Sequence, residues 1–274
     1  MIYKLRSWVD INKIDWDELS GNPNAIQFLE KNMDKICWKK LSENPNAMHL
    51  LEKNMDKINW RMFSKNPNAM MLLEKNVDKI DWYYLSYNPN AIHLLEKNVD
   101  KLVSLALSFN PNAIHLLENN YDELDWIGLS YNPNAIMLLE KNQDKIDWGF
   151  LSFNPNAIHL LENNVDKINW SALSYNPNAM MLLEKNVDKI DWFGLTINPS
   201  AIHLLEKNVD KIDWSRLSLN PSIFELEYEA LEKRCNIYKE ELIKKALHPS
   251  VIQRYLNHPD LKDKDLEYIL DNCF

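Results

Sequence analysis

Tryptophan falls at positions 16, 38, 60, 82, 126, 148, 170, 192 and 214, a step of 22 residues interrupted only where Ser104 takes its slot. Proline keeps the same step, from Pro23, Pro45, Pro67 and Pro89 through to Pro221. A fixed period of this size means stacked copies of one small unit that cannot bury its apolar side alone. It therefore constrains the fold before any local pattern does. The unit reads, in its fourth copy, Ile80-Asp81-Trp82-Tyr83-Tyr84-Leu85-Ser86-Tyr87-Asn88-Pro89-Asn90-Ala91-Ile92-His93-Leu94-Leu95-Glu96-Lys97-Asn98.

Two short helices are expected in each unit. Asp81 precedes Trp82, and the equivalent position is Asp or Asn in eight of ten units, as an N-cap requires. Trp82 and Leu85 are three apart and share a face. For the second helix, Asn88 is the expected cap and Pro89 suits the first helical position. Ala91, Ile92, Leu94 and Leu95 supply an apolar face at helical spacing. Asn98 is expected as a left-handed C-cap. Helices this short persist only through stacking. The Trp column and the Leu94 and Leu95 columns are therefore expected to be the core ladders.

Units run from about Ile14 to Phe224, and the tenth keeps Trp214, Leu217, Asn220 and Pro221 but loses the Leu-Leu-Glu that should follow. Residues 1–13 read as an N-terminal cap, 14–224 as the repeat array, and 225–274 as a helical C-terminal cap with a polar outer face. The expected fold class is an all-α solenoid of about ten two-helix repeats, about 80–100 Å along its arc at 8–10 Å per layer. A rival frame is a leucine-rich-repeat-like horseshoe, in which Leu85 to Tyr87 would be a strand. Gly21, Glu43 and Lys65 at the sixth position of the first three units are wrong for an inward-facing strand residue, and favour helices.

The core of the unit, for example Leu151-Ser152-Phe153-Asn154-Pro155-Asn156-Ala157-Ile158-His159-Leu160-Leu161-Glu162-Asn163-Asn164, resembles repeats of uncharacterised proteins of giant, mimivirus-like DNA viruses, over about residues 14 to 224. The half-unit Leu-Ser-x-Asn-Pro followed by Leu-Leu is also similar to the leucine-rich repeat variant family, whose slightly longer units pair two short helices in a superhelix. That resemblance implies a right-handed array. The first implies a host or viral protein as partner, in the host cytoplasm or the virion. In the tail, Leu247-His248-Pro249-Ser250-Val251-Ile252 and Asn257-His258-Pro259-Asp260-Leu261 look like decayed half-units.

The composition is that of an ordered chain, 46% hydrophobic and 26% charged with only four glycines. A formal charge of −9 argues against a general binder of nucleic acid or anionic membrane. No apolar run precedes Asp10 and none reaches the length of a membrane span, so neither a leader nor a membrane is expected. Cys37, Cys235 and Cys273 have no paired spacing and read as free thiols of a reducing, cytoplasmic compartment.

No phosphate-binding loop, dinucleotide fingerprint, nucleophile elbow or zinc-protease motif occurs, so the chain reads as a non-enzyme without cofactor. His49, His93, His115, His159 and His203 share one unit position with Gln27, Met71, Met137 and Met181. As a ligand line they invite copper or zinc. Residues one repeat apart are too widely spaced to share an ion, which favours a semi-buried spacer. The recurring Glu96 and Asp100 stand beside Lys97 and Lys101 and read as a solvated, charge-balanced face.

Positions that vary between units carry the functional information, because the scaffold does not dictate them. After each Trp slot they pass from Asp17-Glu18, Lys39-Lys40 and Arg61-Met62 to Tyr83-Tyr84, and later to Gly149-Phe150. Alongside run Tyr87, Phe109, Tyr131, Phe153 and Tyr175. This stripe either fills gaps between units or forms an exposed groove for a partner protein. The candidate partner-binding residues are Tyr83, Tyr84, Tyr87, Phe109, Tyr131, Phe150, Phe153 and Tyr175. The interruption at Ser104 predicts a local bend or pocket beside them. The function expected is protein–protein interaction or scaffolding on the solenoid surface. The alternative is a single-stranded RNA reader with aromatics stacking bases.

Overall fold

The computed structural model describes residues 3–120 and 124–256. The chain divides into two compact units, the first being Leu5–Glu225. This unit is an all-α array of ten repeats. In the fourth, Asp81 caps the first helix, Trp82–Ser86, by accepting from the Tyr84 amide, as its place in the sequence predicts. The second helix, Ile92–Glu96, is followed by a 3-10 turn, Val99–Lys101. Leu85 and its equivalents, from Leu19 to Leu217, face the second helix and are buried, as are Leu95 and Ala91 and theirs. Leu85 to Tyr87 is no strand, so the horseshoe frame fails. The strands among the described residues are β1 (Tyr3–Leu5) and β2 (Phe224–Leu226), which pair with each other.

Several local expectations are corrected. Asn98 is not left-handed; it sits at φ −134°, ψ 52°, and its side chain donates to the Leu94 carbonyl. No described residue has positive φ. Asn88 is not the cap of the second helix, and Pro89 is not its first residue. The Asn88 Oδ1 accepts from the Asn90 amide in an Asx turn, and the helix starts later. The Trp column is not core: every Trp of the repeats is only half-buried. At eight junctions a Lys ammonium from the next unit lies 4.2–4.8 Å above the indole, as Lys101 does over Trp82. Ser104 lacks that indole, and Glu123 replaces the lysine that would cover it.

What joins one unit to the next is polar and fully buried. Asn88 Nδ2 donates to the carbonyls of Ser64 and Asn66 in the preceding unit. The same pair of bonds, 2.7–3.1 Å long, recurs from Asn22 to Asn220. Ser86 and its equivalents are also buried, each donating to the carbonyl of the residue in the Trp slot four positions earlier. The ladder passes unit 5 with unchanged lengths, so Ser104 produces no bend in it.

The first rung of that ladder closes the array. Asn22 Nδ2 donates to Ser218 and Asn220, both at 2.9 Å, so unit 10 stands before unit 1 as any unit stands before its successor. The other junction contacts repeat there. Asn24 reaches the Pro221 carbonyl, the Asp15 amide donates to Ser218 Oγ, and Lys13 covers Trp214. Arg6 adds a clasp, its amide donating to the Ile223 carbonyl and its guanidinium to the Ser222 carbonyl and Glu225. The expected open arc is a closed ring of ten units, and residues 5–13 belong to it instead of capping it. A ring has no terminal faces, which removes the need for caps.

The second compact unit takes in the described residues 3–4 and 226–256. Its main element is a 19-residue helix, Tyr228–Ala246, whose Ile237, Tyr238 and Leu242 are exposed. A further helix, Pro249–Leu256, covers the first of the decayed half-units. The second, at 257–261, lies outside the described residues, as does Cys273.

Candidate functional site

The ring sorts the unit into an inner and an outer helix. At seven of the ten junctions the first helices pack closely on one another, and among the described residues the second helices do so at none. In a closed circuit the more crowded elements lie at smaller radius, so the first helices form the inner wall. Residues 83 and 87 flank buried Leu85 by two positions each and share the helix face opposite it. They and their equivalents face the lumen.

The ring centroids of Tyr87, Phe109, Tyr131, Phe153 and Tyr175 succeed one another at 5.8, 5.5, 6.0 and 5.4 Å. Packed helices stand about 8–10 Å apart. Side chains more closely spaced than their helices must converge on the axis. Ten even steps of such a chord describe a circle about 9 Å in radius.

All eight predicted residues belong to this one network. Tyr83 contacts Tyr84 and Tyr87, the two latter centroids 5.4 and 5.5 Å away, and its hydroxyl bonds that of Tyr87 at 3.0 Å. Phe150 bridges Phe109 and Phe153, at 6.4 Å from each. The two roles weighed for the stripe coexist. Its rings fill the joints between inner helices: an added Cβ at Gly194 would lie 2.6 Å from the Tyr175 ring, and one at Gly128 3.1 Å from that of Phe109. Yet the stripe is half-exposed, and Tyr83, Tyr131 and Phe150 are exposed.

Four residues outside the predicted set extend or end the apolar part of the lumen. Leu105 and Phe193, each 50% exposed, and Ile127 extend the apolar surface over units 4 to 9. Arg216 ends it, stacking 3.7 Å over Phe193 and donating to the Tyr175 hydroxyl at 2.9 Å. The signal for them was the column directly after the Trp slot, whose apolar stretch coincides with the aromatic one. At the opposite border Arg61 lies over Tyr84 and Lys65 over Tyr87.

Units 10 and 1 to 3 complete the inner wall with charge. Lys40 pairs with Glu18 at 2.8 Å. Partial burial opposes the Lys40 charge, but the bond to Glu18 prevails and holds its pKa above the usual value. Burial also pushes the Tyr87 hydroxyl well above the ordinary phenol range, helped by the bond to Tyr83. Asp15, at the seam, is partly desolvated. Bonds from the Ser215 hydroxyl and from the Glu18 and Asp17 amides outweigh that and keep it below the usual carboxylate range. Asp125 Oδ2 is buried without a hydrogen-bond partner among the described residues. Leu105 stands where Ser171 and Ser215 supply a hydroxyl to Asp191 and Asp15.

The His column lies on the outer wall and is exposed, not a semi-buried spacer. Each imidazole bonds a Glu of the preceding unit at 2.5–3.1 Å, as His159 does Glu140, and Met71, Met137 and Met181 are more exposed still. Among the described residues, no helix is long and apolar enough to cross a membrane. No family model, curated protein or solved structure matches the chain.

Proposed function

We propose that the ring is a non-enzymatic protein-binding module that holds its partner against the inner wall. The observation that carries this reading is the run of exposed apolar side chains over units 4 to 7 and again in unit 9, from Tyr83 through Leu105, Ile127, Tyr131 and Phe150 to Phe193, with the half-buried Tyr175 ring spanning unit 8. Apolar surface of this continuity is costly to leave in water and is characteristic of docking surfaces, where Tyr and Phe are enriched. The single-stranded RNA reading is less well supported. Base stacking needs free aromatic faces, whereas these rings lie tilted against one another and over the glycines of the next unit. In the viral setting that the repeat resembles, the partner is a host or viral protein, met in the host cytoplasm or in the particle.

The test is photo-crosslinking in cells from a reactive side chain at Ile127, on the inner wall, against one at Met137, on the outer wall. Proteins captured from position 127 and not from 137 support the reading. Capture from 137 alone, or from neither, refutes it.

A further inference from the structure

Resting on that reading, we infer that the lumen receives one amphipathic α-helix of a partner protein, apolar along one side and acidic along the other. The inner wall is two-sided. Units 4 to 9 present the apolar arc, and units 10 and 1 to 3 present Arg216, Asp17, Glu18, Lys39, Lys40, Glu43, Arg61 and Lys65. These are five cations against three anions, an excess of two positive charges in a chain whose formal charge is −9. Glu18 is already engaged by Lys40, and Arg61 stands 3.8 Å from Asp81.

The placement of the cations is more telling than their sum. Arg61 and Lys65 stand at one border of the apolar arc, over Tyr84 and Tyr87, and Arg216 stands at the other, over Phe193. An apolar stripe flanked on both sides by carboxylates meets this pattern at both edges. Size argues the same way. A circle of centroids about 9 Å in radius, less the reach of the rings toward the axis, leaves an opening about 10 Å wide, close to the 10–12 Å of a helix with its side chains. A folded domain does not enter it. Because the ring is closed, the helix enters by a free end or the ring opens at the seam between units 10 and 1.

The experiment measures fluorescence anisotropy of labelled peptides of about 18 residues on the full chain. One carries a leucine stripe with glutamates opposite, a second carries lysines in place of the glutamates, and a third is a scramble of the first. Labelled oligo-uridine is the fourth probe. The acidic amphipathic peptide is expected to bind at least about tenfold more tightly than the other three. Ser171→Trp, which fills the lumen from an exposed position of unit 8, should abolish that binding with the thermal transition retained. Met137→Trp on the outer wall should leave it unchanged. Lys39→Glu with Lys65→Glu should move the preference toward the basic peptide.

Equal binding of acidic, basic and scrambled peptides, tighter binding of oligo-uridine, or undiminished binding by Ser171→Trp overturns the inference. If position 127 captures proteins while the acidic helix fails here, the binding module stands and the acidic helix falls. If position 127 captures none, both fall.

Discussion

Closure of the ring has a direct thermodynamic signature at Asn22. In an open array the first Asn of the ladder has no preceding unit, and its replacement by alanine removes only the local Asx turn. In the ring, Asn22 makes the same bonds as Asn132, two to buried carbonyls of the preceding unit and one from the amide two residues on. Losing either side chain strands one buried carbonyl, that of Ser218 or Ser108, and one amide, while the Asn220 or Asn110 carbonyl keeps its bond from the Ile223 or Ala113 amide. At about 1–3 kcal/mol for each unsatisfied group, Asn22→Ala and Asn132→Ala should each cost roughly 2–6 kcal/mol. For a domain of this size that corresponds to a fall in Tm of roughly 4–24 °C. Urea unfolding, followed by tryptophan fluorescence, gives both values in one assay. Matched losses support closure. A loss below about 0.5 kcal/mol for Asn22→Ala, beside a large one for Asn132→Ala, refutes it.

Leu161→Ala, at a fully buried position, should cost about 2–5 kcal/mol, and more than Trp148→Ala, whose indole is half in solvent under Lys167. The reverse order in urea melts would restore the tryptophans to the core. Gly194→Ala should destabilise by about 1–3 kcal/mol, because its new methyl meets the Tyr175 ring. Most of that loss should vanish in a Tyr175→Ser background, a coupling that a double-mutant cycle reads. Asp15 has a depressed folded pKa, so its contribution is complete above its unfolded value near 4 and is lost as pH falls through the folded value. Asp15→Asn should therefore flatten the acid limb of a Tm–pH profile, and an unchanged limb would remove Asp15 from the seam's electrostatics.

The repeat was legible because its cause is local. Period, helix-forming apolar spacing, the Asp81-type cap and the boundary at Asn-Pro all follow from residues within a few positions of one another. The eight aromatic candidates were legible for a related reason, since positions that vary against a constant scaffold stand out in register. Burial was legible in the Leu95 and Ala91 columns and not elsewhere. Tryptophan is the residue most readily assigned to a core, yet the fully buried columns include Ser86 and Asn88 with their equivalents. Their hydrogen-bond partners lie in the preceding unit, and a sequence does not say how closely that unit approaches.

Curvature belongs to the same class. Each step turns by an amount fixed by how near the inner helices come, with Gly128 and Gly194 admitting the rings of Phe109 and Tyr175, relative to the wider spacing of the outer helices. Ten such turns complete a circle. The residues for closing it were present in unit 1, where Lys13, Asp15 and Asn22 are the groups most interior units use to receive the unit before them. By itself the sequence determined the unit, its copy number and the set of aromatic side chains that vary against the constant scaffold. Only the tertiary structure decided that the ends meet and that those side chains face one enclosed lumen, because both depend on a small rotation per unit summed around the whole chain.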